Sequence, residues 1–445
     1  MQGFTWIDTA VLVIYLLGVL FAGLWFSNKE HQGKEFFKGD GTIPWWVTCV
    51  SIFATLLSPI SFLSLPGNSY GGSWILWWAQ IGMLIAIPLT IKYFLPIYST
   101  LQIDTAYHYL EKRFGSKGLR ILGALMFIVF QTGRMSIIMY LPCIALAELT
   151  GINVNILIIV MGIIAIIYSY SGGLKAVLWT DFIQGVVLIV GIALTLVVMI
   201  ASINGGFGTV MDTLTTGHKF LLENEVWFSS DILSTSIFVI LVGGGLTTFS
   251  SYVSSQDIVQ RFTTTTDIKQ LNKMTLGNGV LSIFAATVFY LVGTSLYVFY
   301  TQNPDLLMTT RQDLVFATYI TYELPAGITG ILLAAIFAAS QSTLSTGINS
   351  VATSWVLDIQ SVINPEMSSE RQTKIAQYIS LGIGILAIIV IYLKYFVPSV
   401  SYWTYTIITI ISSLVVGNIV SYLTDKSFVA PKGTTVYTSK APSSK

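Results

Sequence analysis

Charge is scarce in this chain. Its 445 residues include 22 Lys and Arg and 21 Asp and Glu, 10% in all, where a soluble domain usually carries about 25%. The net charge of +1 leaves no basic excess to neutralise phosphates, which argues against a nucleic-acid partner. Cysteine is nearly missing too. Cys49 and Cys143 lie in apolar runs without CxxC or metal spacing, so both read as small packed residues. The three histidines, His31, His108 and His218, fall in connecting segments and form no HExxH pair. No nucleophile–base constellation stands out either, so an intramembrane enzyme is the weakest reading.

What replaces the missing charge is apolar sequence, 54% of the chain, gathered into long runs. Runs of about 18 residues or more are membrane-span signals. The pattern predicts eleven spans, near 7–26, 45–65, 73–97, 121–148, 152–170, 176–202, 233–252, 274–300, 324–355, 374–396 and 400–422. No basic residue precedes the first run and no A-x-A site follows it, so it reads as a span, not a removable signal. The fold class is an all-α polytopic membrane protein. Alternate loops carry Lys29, Lys34 and Lys38; Lys112, Arg113, Lys117 and Arg120; Lys175; Arg261, Lys269 and Lys273; Arg371 and Lys374; and the tail lysines Lys426, Lys432, Lys440 and Lys445. The other loops offer little beyond Lys219 and Arg311. Positive loops stay cytoplasmic, so the N-terminus is expected outside and the C-terminus inside, in a cell inner (plasma) membrane.

Two spans carry interruptions. The run VSIFATLLSPISFLSLPG (50–67) puts Pro59 at mid-span among Thr55, Ser58, Ser61 and Ser64. Proline donates no amide hydrogen, so the helix must kink or open there. The run LVGGGLTTFSS (241–251) puts Gly243, Gly244 and Gly245 in the seventh span, five spans later. A matched pair of Gly/Pro interruptions points to an inverted-repeat transporter that holds substrate and ion at the breaks. Each interruption alone has a plainer reading, since proline kinks and close glycine contacts are common in membrane helices.

Polar residues inside the spans add candidates. Arg134 lies in the middle of FIVFQTGRMSIIMYL (127–141), where an arginine costs roughly 2.5–3.5 kcal/mol on insertion scales and needs a partner. That partner is either a buried acid, with Asp181 the obvious candidate, or a substrate carboxylate gripped by the planar guanidinium. Asp181, in GGLKAVLWTDFIQG (172–185), is either a carboxylate favoured by a helix N-terminus or a cation ligand. In FAASQSTLSTGINS (337–350), Ser342 and Thr343 recur as Ser345 and Thr346 on one helical face. Small residues serve close packing, but packing does not need hydroxyls, and hydroxyl oxygens suit a hard cation.

Three motifs, YSYSGGLKAVLWTDFIQG (168–185), SSQDIVQRF (254–262) and AAIFAASQSTLSTGINS (334–350), carry a resemblance to the sodium:solute symporter family over about residues 5–390. The resemblance implies a LeuT-like core of two inverted five-helix repeats behind one extra N-terminal span. That makes 7–26 the extra span, 45–202 the first repeat, 233–396 the second, 400–422 the last span and 423–445 a cytoplasmic tail. Within the family the chain is most similar to bacterial sodium-coupled sialic acid transporters. The likeness implies sodium-coupled uptake of a small acidic sugar, with Na+ as coupling ion, membrane lipid as surroundings and a monomer as the working unit. It places Arg134 on the sugar carboxylate and Ser58, Ser61 and Gln80 on its polar groups. It places one sodium on Ala54, Leu57, Ala339, Ser342 and Thr343, and a second on Asp181, Ser342, Ser345 and Thr346.

Two departures accompany the likeness. Leu56 stands where the family pattern suggests a hydroxyl near the solute. Family members have about thirteen spans, and KIAQYISLGIGILA (374–387) runs into IIVIYLKYFVPSVSYWTY (388–405) as if two spans between them were missing. The second repeat is therefore expected to be incomplete, and a ligand-binding form impaired in transport is one alternative. A symporter for a neutral sugar or proline is the other.

Overall fold

A computed structural model describes residues 5–27, 34–39, 41–101, 103–216, 219–222, 225–228 and 236–393, and among them every regular element is a helix. The predicted span 400–422 and tail 423–445 lie outside the described residues. Among the described residues, six helical stretches are long and apolar enough to cross a membrane, seven if one bent pair counts as a single span.

The first helix, α1 (Trp6–Ser27), is fastened at its start. Asp8 accepts from the backbone N–H groups of Gly327 and Gly330, both at 2.8 Å. Those amides open a helix three hundred residues later, and a carboxylate suits such unsatisfied donors. The next span is broken as its proline requires. The helices α2 (Trp45–Leu56) and α3 (Pro59–Gly71) meet at 65°. Leu57 and Ser58 are extended, with ψ of 103° and 154°. A residue before proline is pushed out of the helical region, and proline itself is preorganised for a helix's first turn. Ser58 Oγ then caps α3 by accepting from Ser61 N–H at 3.2 Å.

Beyond α4 (Trp78–Tyr93) come α5 (Lys117–Thr150) and the helical run α6 (Val154–Ser202). The latter turns at Gly173, whose φ of +56° places it in the left-handed region that favours glycine. Spans predicted at 152–170 and 176–202 are its two arms. Further along the chain come α7 (Ile237–Ser254), α8 (Gln256–Phe262), α9 (Ile268–Gln302), α10 (Gln312–Tyr322), α11 (Ile328–Ser354) and α12 (Ser369–Leu393), and shorter helices such as Ala106–Phe114 and Gly206–Thr215 lie between the long ones. The sheath is apolar. At the centre, α11 packs along α6 and also touches α1, α2, α5 and α12.

The expected break at Gly243 to Gly245 is not there. Helix α7 runs through the three glycines and ends only at Ser255, which is extended at ψ 118°. Gly244 and Gly245 instead let α7 lie against α4, while Gly243 faces open space. A Cβ on Gly82 would fall 1.9 Å from the Leu241 carbonyl oxygen, and one on Gly244 would fall 2.7 Å from Ala79 Cα. Close backbone approach, the plainer reading, is the reason for glycine here.

Two arginines assigned to loops are also inside. Arg120 reaches Asp358 and Glu111, each at 2.8 Å, and Arg261 is 1% exposed. Near Arg120, Asp104, in the segment before the short helix Ala106–Phe114, pairs with Lys38 and with His108 of that helix. Burial pushes the Asp104 carboxyl up, but hydrogen bonds and charge from His108 and Lys38 outweigh it and hold the group below the usual carboxylate range.

Candidate ion and solute site

The break between α2 and α3 faces the hydroxyl stripe of α11. Ala54 lies in the last turn of α2, where carbonyls lack helical partners. Its oxygen accepts from Ser342 Oγ at 3.0 Å. On α11, the Ala339 carbonyl accepts from Ser342 Oγ at 3.2 Å and Thr343 Oγ1 at 3.0 Å. All four residues are fully buried. Leu57 sits at the break with its N–H on the Phe53 carbonyl at 3.0 Å, and no described hydrogen bond ties it to α11. So four of the five residues expected on one sodium form a single cluster of carbonyl and hydroxyl oxygens.

One turn along α11, the stripe meets Asp181. Ser51 Oγ donates to Asp181 Oδ2 at 2.7 Å, Thr346 Oγ1 to the same oxygen at 3.1 Å, and Ser345 Oγ reaches Oδ1 at 3.5 Å. Ser345 Oγ also donates to the Ser342 carbonyl at 3.2 Å, which joins this cluster to the first. Asp181 stands eight residues past the turn at Gly173, beyond the first turn over which a helix end acts on charge. Its environment is thus a side-chain cage, not a helix terminus.

Arg261 completes the cage. Its Nη2 donates to Asp181 Oδ2 at 2.7 Å, Thr346 Oγ1 at 2.6 Å and Thr55 Oγ1 at 2.8 Å, and its Nε donates to Ser51 Oγ at 2.9 Å. The pairing of Arg134 with Asp181, one of the two readings of that arginine, is therefore overturned. Arg134 Nη1 instead binds Asp257 Oδ2 at 2.9 Å and approaches Gln131 Oε1 at 3.5 Å. Sequence reasoning missed both partners. Asp257 and Arg261 lie in SSQDIVQRF, and with the break set at the glycines that stretch reads as a loop.

The remaining solute candidates are less connected. Ser58 Oγ and Ser61 Oγ lie 3.1 Å apart at the break. Gln80 is half-buried in the first turn of α4, and no described hydrogen bond joins it to Ser58, Ser61 or Arg134. Leu56, the last residue of α2, is half-buried beside them. A cavity of about 200 Å³ lined by Phe37, Lys38, Asp104 and Arg120 contains none of these residues. The candidate site is a packed polar seam between helices.

Chemically, the seam offers hydroxyls, helix-end carbonyls and one carboxylate. Among the described residues no three His, Cys, Asp or Glu side chains converge, so the donor set suits a hard cation held by oxygen. A helix broken at its middle, with freed carbonyls facing such a stripe inside an apolar bundle, is the architecture of a secondary transporter.

Comparison with known proteins agrees. The model of the sodium:solute symporter family matches residues 36–420, and the chain belongs to that family. It is a family of transporters and not of enzymes, and Na+ is the coupling ion. A sodium/sialic acid symporter of Proteus mirabilis is 33% identical over 390 residues, covering 87% of this chain and 78% of that protein. Another from Aliivibrio fischeri is 32% identical over 391 residues, covering 87% and 76%. The human sodium/iodide cotransporter is 29% identical over 387 residues, 85% of this chain and 59% of that one. Among solved structures, a substrate-bound, outward-open Na+-coupled sialic acid symporter matches with a TM-score of 0.82 and 32% identity, covering 88% of this chain and 83% of that one. A nucleobase-cation-symport-1 family transporter, at TM-score 0.58 and 13% identity over 85% and 77% of the two chains, shares the fold.

Proposed function

We propose that this protein is a sodium-driven symporter that takes up a sialic acid by alternating access. The observation that carries the reading is the oxygen cluster of Ala54, Ala339, Ser342 and Thr343, where a broken helix meets a hydroxyl stripe. Together with Leu57 these residues hold one sodium. Asp181, Ser342, Ser345 and Thr346 hold a second. Arg134 grips the sugar carboxylate, and Ser58, Ser61 and Gln80 bind its polar groups. The names of the two bacterial relatives support the choice of solute.

The architecture that goes with this function is a LeuT-like core of two inverted repeats, 45–202 and an incomplete 233–396, behind the extra span 7–26. With the last span at 400–422 the chain crosses an inner membrane eleven times as a monomer, N-terminus outside and tail 423–445 inside. Lysines of alternate loops support that orientation, without Arg120 and Arg261.

A second reading has one observation in its favour. Because Asp257 balances Arg134, a neutral sugar or proline would not leave that arginine unpaired. Uptake into proteoliposomes separates the two. Sodium-gradient-driven accumulation of N-acetylneuraminic acid, with no accumulation of glucose or proline, is the expected result. Accumulation of a neutral solute alone would overturn the sialic acid assignment, and binding without accumulation would identify a transport-impaired form.

A further inference from the structure

The two charges that the proposed function assigns to cargo are each neutralised by the same short helix. Asp257 of α8 lies on Arg134 at 2.9 Å, and Arg261, one turn later, lies on Asp181 at 2.7 Å. Both α8 residues are buried, and Arg261 Nη1 also donates to the Asp257 carbonyl. Asp257 is a carboxylate, as the sugar acid would be. Arg261 is a cation, as sodium would be.

We propose that α8 carries stand-ins for both cargoes, so that solute and sodium enter by exchange with its side chains. The inference rests on the proposed function. A sugar carboxylate that takes Arg134 releases Asp257, and a sodium that takes Asp181 releases Arg261. Either exchange alone strands a charge in the interior, where an uncompensated ion is strongly unfavourable. Both exchanges together release an acid and a base four residues apart, acid first, the spacing and order in which a helix pairs opposite charges. Asp257 and Arg261 then neutralise each other. This makes each cargo help the other bind, through α8 and without any contact between them. Thr55, Ser51 and Thr346, which also hold Arg261, and Gln131, which faces Arg134, keep hydroxyl and amide partners ready for the incoming ions.

The test is the sodium dependence of solute affinity, measured by calorimetric titration of the purified full chain with N-acetylneuraminic acid in sodium and in potassium chloride. Wild type should bind at least about tenfold more tightly in sodium, within the usual range for coupled sites. Asp257→Asn removes the competitor for Arg134, so it should tighten binding in potassium and shrink the sodium effect below about threefold. The double variant Asp257→Asn/Arg261→Gln removes both charges at once and should show the same loss of coupling, which keeps the test open if the single variant does not fold. If wild type is sodium-dependent and the variants keep its full sodium effect, the stand-in role is overturned while the symporter reading survives. If wild type binds no acidic sugar in either salt, the proposed function fails, and this inference with it.

Discussion

Replacing Asp181 by asparagine keeps the size of the side chain and removes its charge, which leaves Arg261 without its acid. The pair is 1% and 0% exposed at its two side chains, with 2.7 Å between them. Water and salt therefore screen it little. Removing one partner of a buried pair costs about 3–5 kcal/mol, because the other charge stays behind uncompensated. Ser51, Thr55 and Thr346 still accept from Arg261, which puts Asp181→Asn toward the lower end of that range. Adding Arg261→Gln removes the stranded charge, so the double variant should recover most of the loss. The assay is thermal melting of the four proteins of this cycle in potassium chloride, where sodium cannot repair the defect. In sodium, Asp181→Asn should also lower the Hill coefficient for sodium-dependent solute binding by losing the second ion. Additive effects of the two substitutions on melting, with an unchanged Hill coefficient, would refute both the pairing and the ion role.

Ser342→Ala and Thr343→Ala should each raise the sodium concentration needed for half-maximal solute binding, read by titration; if these residues only pack, alanine will be silent. Arg134→Ala should weaken binding of an acidic sugar more than about tenfold, and Arg134→Lys should rescue little, because lysine lacks the planar fork. The methyl ester of the sugar is the control, and equal affinity of acid and ester for wild type would make Arg134 structural. Gly82→Ala should lower the melting temperature and the yield of folded protein, since its Cβ would meet the Leu241 carbonyl at 1.9 Å, whereas Gly243→Ala, with nothing within 4 Å, should be tolerated. Asp104→Asn should destabilise at neutral pH, and that difference should begin to shrink as pH falls through about 4, where the unfolded chain takes up the proton, and be lost only further down, where the folded-state carboxyl itself protonates.

Some of this site is plain in the sequence and some is not, for definite reasons. Pro59 forces its break on any helix that contains it, so the α2/α3 corner and the Ala54 carbonyl could be read directly. The Ser342–Thr346 stripe is equally readable, because hydroxyls at helical spacing need no knowledge of neighbours. Glycine is ambiguous in a way proline is not. The same kind of residue that would open a helix also lets it press against another, as Gly244 and Gly245 do here, and only Ala79 and Gly82 on α4 decide between the two. The real break at Ser255 carries neither glycine nor proline. With the break expected at the glycines instead, Asp257 and Arg261 read as loop residues, and Arg261 as a charge that orients the protein. Partners brought together from distant spans leave no local pattern. The surviving clue was the cost of Arg134 and Asp181 themselves, each of which demanded an opposite charge.

The bond from Asp8 to the amides of Gly327 and Gly330 joins the first helix to one made some three hundred residues later. The two helices suit very different waiting times during synthesis. The apolar stretch of α1 is 11% buried against protein, so it is at home in lipid from the moment it leaves the translocation machinery. The stretch containing α11 is 89% buried and lined with Ser, Thr, Asn and Gln, which bare lipid would leave unsatisfied. Its insertion therefore depends on the earlier helices having gathered to receive it. Asp8 marks the far wall of that reception site. Biogenesis of this protein thus turns on its ninth predicted span, and variants at Asp8 should be caught as half-assembled chains by membrane quality control before any defect in transport is seen.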